Sequence, residues 1–268
     1  MAEHAFRGGR TADISSANKE DMHRNYLYHS PMLPRNGSIV ILTGAGISRE
    51  SGLATFRDPG GIWTKVRIED VATPQAFNQN PARVNVFYNA RRQALLDPAV
   101  RANPAHTALA RLEKAWPGDV VLITQNIDDL HERAGSTRLI HMHGELLKAR
   151  CQACHIISPW PHDLDENSCC PACGDKSLRV HVVWFGEMPF GMAQITKSLR
   201  RCDLFLSIGT SGNVYPAAGF VREALGRTVE MNLEPSEGAS LFDEAIYGPA
   251  SKTVPAYVEK LLREIECQ

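Results

Sequence analysis

Four short apolar runs, each ending in small or polar residues, set the strongest limit on how this chain folds. They are SIVILTGAG (38–46), DVVLITQNID (119–128), DLFLSIGTS (203–211) and TVEMNLE (228–234). A strand that is apolar at consecutive positions is apolar on both faces, so both faces have to be covered. Helix-period patterns lie at 82–96, 105–116, 217–225 and 254–265. Strands alternating with helices predict an α/β fold, a Rossmann-like doubly wound parallel sheet. Ligands of such sheets gather at the carboxyl ends of the strands, where the polar residues of these runs fall.

Residues 150–180 break the alternation with cysteines, prolines and few periodic apolar positions, and read as a small inserted module spanning about 148–181. Five of the seven cysteines fall between 151 and 173. Cys151-Gln-Ala-Cys154 and Cys170-Pro-Ala-Cys173 are two C-x-x-C knuckles, the spacing of a four-thiolate zinc site. Four protein ligands close the shell and leave no place for water, so the expected zinc is structural. Cys169 is a neighbouring thiol that could substitute, with Cys170 preferred.

The totals exclude some classes. A chain of 268 residues with a formal net charge of -1 gives no overall argument for nucleic acid or for an anionic membrane. No stretch approaches the roughly 20 apolar residues of a spanning helix, and the N-terminus lacks the apolar core of a secretory signal. A cytoplasmic protein is expected. Residues 1–35 are polar and aperiodic and read as a flexible tail before a domain of residues 36–268, with Met22 as a candidate internal start.

Gly44-Ala45-Gly46 directly follows the first run, a tight turn that would let backbone N–H groups reach a pyrophosphate. Arg49 replaces the third glycine of G-x-G-x-x-G, so the motif alone is weak. The acidic residue expected about 20 positions on has poor candidates in Glu69 and Asp70. Glu234 at the end of the fourth run is the better one, which implies an unusual strand order. Gln125, Asn126 and Asp128 sit where the second run ends, and His141 and His143 alternate onto one face of a short strand. Such a histidine can accept a proton from a substrate hydroxyl. Neither a G-x-S-x-G elbow nor a phosphate-loop G-K-[ST] occurs.

Taken together, GAGISRESGLATFR, TQNIDDLHERAG, HMHGEL, the two knuckles, VVWFGEMP, GTS, NLEP and YGPAS resemble the sirtuins, NAD-dependent protein-lysine deacylases, and most the bacterial CobB type. The resemblance covers residues 36–265 in order. It implies NAD as co-substrate, lined by Gly44, Ala45, Gly46, Ile47 and Ser48, with Thr55, Phe56, Arg57 and Trp63 in a cofactor loop. Gln125, Asn126, Ile127 and Asp128 would meet nicotinamide and its ribose. Gly209, Thr210 and Ser211 would hold phosphate and ribose, and Asn232, Leu233, Glu234 and Ala250 the adenosine end. His143 matches the catalytic base, with Asn126 and Asp128 beside it. Val183, Phe185, Gly186 and Glu187 match a strand that pairs with the substrate backbone.

By that resemblance the acyl oxygen of a modified lysine attacks the ribose carbon bearing nicotinamide. Nicotinamide leaves, His143 deprotonates a ribose hydroxyl, and that oxygen attacks the resulting imidate, so that free lysine and an O-acyl-ADP-ribose are released. Acylated lysines of cellular proteins, metabolic enzymes among them, would be the partners. Mono-ADP-ribosyl transfer and non-catalytic NAD sensing are the alternatives. Many family members read GIPDFR where this chain has Gly52-Leu53-Ala54-Thr55-Phe56-Arg57, which removes a carboxylate near the cofactor loop.

VFYNARRQALL (86–96) reads as an amphipathic helix with Phe87, Ala90 and Ala94 on its apolar face. Tyr88 and Arg91, three apart, also share a side. The plain reading is an arginine lying over a tyrosine ring on the surface. The resemblance implies instead a Tyr-x-x-Arg feature that receives the carboxylate of succinyl or malonyl chains.

Overall fold

The computed structural model describes residues 33–54 and 66–267. Most of the expected tail, and the expected cofactor-loop residues Thr55, Phe56, Arg57 and Trp63, lie outside the described residues. In chain order the strands are β1 (Ile39–Thr43), β2 (Val120–Thr124), β3 (Leu139–His141), β4 (Gly144–Cys151), β5 (Ile157–Pro159), β6 (Leu178–Val182), β7 (Leu204–Ile208), β8 (Arg227–Asn232) and β9 (Glu244–Tyr247). The α-helices are α1 (Ala45–Ser48), α2 (Pro74–Gln79), α3 (Pro81–Leu96), α4 (Pro104–Ala115), α5 (Leu130–Ala134), α6 (Met192–Leu199), α7 (Phe220–Glu223) and α8 (Ala250–Glu266).

Six strands form a parallel sheet in the order β3-β2-β1-β7-β8-β9. Every residue of β1 and β7 is buried, as double-sided apolar runs require. From β1 the chain works outward through β2 and β3, then returns to β7 and works the other way. The order therefore reverses between β1 and β7, and the glycine turns after both strands meet at that switch point. This is the doubly wound α/β sheet expected from the four runs, with β3 and β9 added as short edge strands.

The helices begin where the sequence supplies caps. Asn80 Oδ1 accepts from the Arg83 amide at 2.9 Å with Pro81 at the first helical position of α3. Asn103 caps α4 in the same way, and His106 Nδ1 accepts in return from the Asn103 amide at 3.3 Å. The buried side of α3 is Val84, Asn85, Phe87, Tyr88, Arg92 and Leu95. Ala90 and Ala94 are exposed, which corrects the expected apolar face. The true stripe runs 84-88-92-95, and its polar members gave the sequence pattern little contrast. The expected helix at 217–225 is a 3-10 turn followed by the four residues of α7.

Residues 144–182 build a second, antiparallel sheet in the order β5-β4-β6. It begins with β4 at Gly144 and ends with β6 at Val182, just past the bounds expected for the module. Its buried face joins α2 and α3 in one core that contains Phe77, Tyr88, Leu146, Val180 and Trp184. No helix among the described residues is long and apolar enough to cross a membrane.

Candidate active site and metal centre

At the switch point two glycine turns touch. A Cβ on Gly46 would lie 2.7 Å from the Gly209 Cα, and one on Gly209 (φ +65°) would run into the Ile47 amide. The Gly44 amide donates to Ile208 O at 3.0 Å, and the Gly46 amide to Gly209 O at 2.8 Å. The glycines thus serve close backbone packing of one turn on the other. Their own amides are engaged within the protein, which changes the reason expected for them.

Polar side chains from α1, from the loop after β2 and from the cap of α4 converge behind this turn. Ser48 Oγ donates to Asp128 Oδ2 at 3.0 Å, and Asn126 Nδ2 donates to Gly44 O and Ser48 Oγ, both at 3.1 Å. Asn103 Nδ2 donates to Ile47 O at 2.7 Å and to Ser51 Oγ at 3.0 Å, so the cap of α4 also pins the helix α1. Burial pushes the Asp128 carboxyl up to about 6 and His106 down to about 4. Asn103 and His106 were not singled out in the sequence. An asparagine directly before a proline at a helix start is the signal that could have found them.

A continuous set of hydrogen bonds crosses the carboxyl edge of the sheet. Asn232 Nδ2 donates to Thr210 O at 2.9 Å, Gln125 Nε2 to Thr210 Oγ1 at 3.0 Å, and His143 Nδ1 lies 3.0 Å from Gln125 O. Residues expected at the two ends of a dinucleotide are thereby joined. Because a carbonyl only accepts, Nδ1 of His143 carries the proton and Nε2 carries the lone pair. Burial holds this histidine below the usual imidazole range, so it is neutral at pH 7. His141 and His143 are not on one strand: His141 ends β3 and His143 lies in the turn to β4. Both rings nevertheless face the 125–126 backbone. A Cβ on Gly144 (φ +80°) would strike the His181 carbonyl, so the residue after His143 has to be glycine.

Leu233 and Glu234 are exposed at the end of β8. The acid buried there is Glu230, fully enclosed, which accepts from Tyr247 Oη at 3.1 Å and from Asn232 Nδ2 at 3.3 Å. Gly209, Thr210 and Ser211 are half-buried after β7, and Ala250 opens α8.

Val183 to Glu187 depart from the expected strand. β6 ends at Val182, and residues 184–187 form a turn closed by the Glu187 amide on Trp184 O at 2.9 Å. Glu187 takes a two-pronged bond from Arg179 at 2.7 and 2.9 Å and a third from the Trp184 amide at 2.8 Å. Burial opposes that carboxylate, but Arg179 outweighs it and holds Glu187 below the usual range. The Arg179 guanidinium also stacks 3.3 Å from the Trp184 ring. Fixing the turn occupies the carboxylate of Glu187. Phe185 and Gly186 are exposed, and the Val183 amide donates to His143 O at 2.8 Å.

Tyr88 is buried and accepts from Trp184 Nε1 at 3.0 Å. Burial raises it to about 12, so its own proton stays available to donate. Arg91 is half-buried and lies 4.0 Å from the ring of Phe87, not over Tyr88. Burial lowers Arg91 to about 10, and it remains a cation at neutral pH. The plain surface stack of Arg91 on Tyr88 is therefore not what forms.

The four cysteines of the knuckles come together with all sulfurs within 4.8 Å of one another. Cys151 and Cys173 sulfurs are 3.7 Å apart, as are those of Cys154 and Cys170. A tetrahedron with Zn–S near 2.3 Å has edges of about 3.8 Å, so the donor set and its spacing are compatible with structural zinc. Each knuckle closes alike. The His155 amide donates to Cys151 O and the Gly174 amide to Cys170 O, and both residues are left-handed (φ 62° and 76°). Cys169 is exposed and donates to Asn167 O, outside the cluster.

Comparison with known proteins agrees with this layout. The model of the Sir2 family matches residues 44–216. An NAD-dependent protein deacylase of Salmonella typhimurium is 54% identical over 237 residues, which are 87% of each chain. The crystal structure of a Sir2 homologue in complex with NAD superposes with a TM-score of 0.77 at 34% identity, covering 86% of this chain and 92% of that one. Another Sir2 structure, bound to a myristoylated histone peptide, gives 0.66 at 31% identity, over 86% and 93% of the two chains. With the family model matched over residues 44–216 and relatives of this identity and coverage, and with the glycine turns, the histidine and the four-cysteine module in place, this chain belongs to the Sir2 family.

Proposed function

We propose that the chain is an NAD-dependent protein-lysine deacylase that removes acetyl, succinyl and malonyl groups. One observation carries the reading: His143 keeps its proton on Nδ1, against Gln125 O, and so presents a basic Nε2 at the carboxyl edge of the parallel sheet. NAD, when bound, supplies an electrophilic ribose carbon with nicotinamide as leaving group. Around it Gly44 to Ser48, Gln125 to Asp128 and Gly209 to Ser211 would hold the co-substrate, with Asn232, Leu233, Glu234 and Ala250 at the adenosine end. His143 takes a proton from a hydroxyl through Nε2, and Asn126, fixed by Gly44 and Ser48, orients polar groups beside it.

Arg91 and Tyr88 suit an acidic acyl chain. A guanidinium that keeps its charge despite partial burial gains strongly from a carboxylate, and the tyrosine hydroxyl has a proton to donate. The reduced cysteine cluster suits a reducing compartment, so we place the enzyme in the cytoplasm, acting on acylated lysines of metabolic enzymes. Residues 36–268 would form the catalytic domain, with the module about 148–181 inserted, and residues 1–21 would be dispensable for folding and activity.

The test is a panel of acetyl-, succinyl- and malonyl-lysine peptides with NAD, read by mass spectrometry for acyl lost or ADP-ribose gained. The full chain and a chain starting at Met22 should both deacylate. His143→Ala should lose about 10² to 10⁴ in rate with zinc retained. Activity kept within about tenfold, or peptide gaining ADP-ribose instead, would sink the assignment.

A further inference from the structure

His141 is not needed for the chemistry assigned to His143, yet it is built into the same place. It is the last residue of β3, paired with Thr124, and its side chain is largely buried. Its Nδ1 lies 3.4 Å from Asn126 O and its Nε2 lies 2.7 Å from Glu132 Oε1. A carbonyl and a carboxylate both accept, so only a ring protonated on both nitrogens satisfies the two contacts. Among the described residues the charged and titratable groups around the ring are Glu132 and His131 on α5, Asp128 on the preceding loop, and Glu145 on β4, with Lys148 bonded to Glu145 at 2.7 Å. The carboxylates outnumber the ammonium and favour a cation at His141. Burial alone would lower its affinity for the proton, but the bond and charge of Glu132 outweigh burial and raise it above the usual imidazole range.

We propose that His141 is a positioning residue for deacylation: as an imidazolium it ties the carbonyl of Asn126 to Glu132 and so sets the loop that carries Gln125, Asn126 and Asp128 against His143. The two histidines then act as an opposed pair. Both donate from Nδ1 to consecutive carbonyls, at 125 and 126, but His143 is neutral and His141 is charged. The loop is held from both sides, and its geometry depends on His141 keeping its second proton. Activity requires His143 deprotonated and His141 protonated, which gives a pH profile with an acid and an alkaline limb.

This inference rests on the deacylase reading, and its test separates the two. In long-range ¹H–¹⁵N spectra of the full-length protein at pH 7, His141 should show two protonated nitrogens and His143 one, on Nδ1. With NAD and an acetyl-lysine peptide, Glu132→Gln should move the alkaline limb down by about one pH unit. His141→Lys, a cation that does not titrate in this range, should remove that limb. His141→Gln should lower kcat between about tenfold and a hundredfold with little change in peptide KM. A neutral His141 at pH 7, or an alkaline limb unmoved in Glu132→Gln and His141→Lys, overturns the proposal. A wild type inactive on every acyl peptide overturns the deacylase reading and the positioning role with it, while the spectra still report whether the clamp exists.

Discussion

The parallel sheet and the small antiparallel sheet use charge in opposite ways. The parallel sheet is held by apolar burial along β1, β2 and β7, and its buried polar groups cluster at the carboxyl edge, where Asp128 is strained by desolvation. In the small sheet the ionic groups are themselves the ties. Four cysteine sulfurs gather the knuckles between β4 and β6 into a donor set suited to zinc, and the Arg179–Glu187 pair locks the turn that carries Trp184. Removing one partner of a buried ion pair destabilises the fold, because the other charge is left enclosed and uncompensated, whereas neutralising a buried carboxyl kept for chemistry relieves a cost. Substitutions in the two regions should therefore differ in sign as well as in size.

Loss of the metal centre should have the largest effect. Structural zinc in small modules is worth on the order of 10 kcal/mol of apparent folding free energy at neutral pH. Cys154→Ser should drop zinc below one ion per chain, loosen residues 144–182 and abolish activity, while hydrogen exchange in β1 and β7 stays protected. Cys169→Ser should leave zinc content unchanged, because that sulfur faces Asn167 O. Metal analysis with exchange mass spectrometry reads both, and equal unprotection of β7 would break the distinction between the sheets.

That contrast also explains what was readable in the sequence. The runs ending at Gly44, Gln125, Gly209 and Asn232 announced their strands because a buried parallel strand needs apolar residues at every position. The cysteines announced a metal centre by spacing alone. The strands of the small sheet were not legible, since β6 (LRVHV) has Arg179 and His181 buried among its apolar residues. Arg179 is tolerated there only through Glu187 and Trp184, partners that no periodicity reveals. At the site, Gln125, Asn126, Asp128 and His143 were found from their place at strand ends. Trp184 beneath Tyr88, and the hold of Asn103 on Ile47 O, depend on contacts between segments distant in sequence.

Within the small sheet, Glu187→Ala leaves the Arg179 guanidinium enclosed without its carboxylate and removes the acceptor of the Trp184 amide. Breaking one side of a buried pair costs about 3 kcal/mol. Urea unfolding should show that loss, and a change below about 0.5 kcal/mol would mean the pair is merely decorative.

At the edge of the parallel sheet the sign should reverse. The folded protein raises Asp128 from 3.8 to about 6, so it binds the extra proton between those values and the unfolded chain does not. Stability from this group therefore falls as pH rises through that window and is lowest above it. Asp128→Asn removes the penalty, and an amide can still accept from the Leu130 amide and donate to Ser48 Oγ. The variant should be more stable than wild type by roughly 1–3 kcal/mol at pH 7.5. The gap should close as pH falls toward 4, with deacylation lost throughout. Thermal melts across that range test it, and a destabilised variant at pH 7.5 would show that the charge holds the loop together.

The smallest expected effect lies between the two regions, on α3, where the choice of variant matters. Tyr88→Phe would leave Trp184 Nε1 without its acceptor in a buried place, a loss of about 1–3 kcal/mol that confuses stability with selectivity. Arg91→Met removes the charge while keeping an apolar chain to cover Phe87, which the guanidinium now shields. An acetyl group has no carboxylate to meet Arg91, whereas a charge-assisted bond to a succinyl chain is worth about 1.5–3 kcal/mol. Arg91→Met should therefore lower kcat/KM for succinyl-lysine peptide by at least about tenfold and change acetyl-lysine turnover by less than about threefold. Equal losses on both peptides would make Arg91 a support for the α3 core rather than a reader of the acyl chain. It would then belong with Arg179, among the charges that hold this protein together.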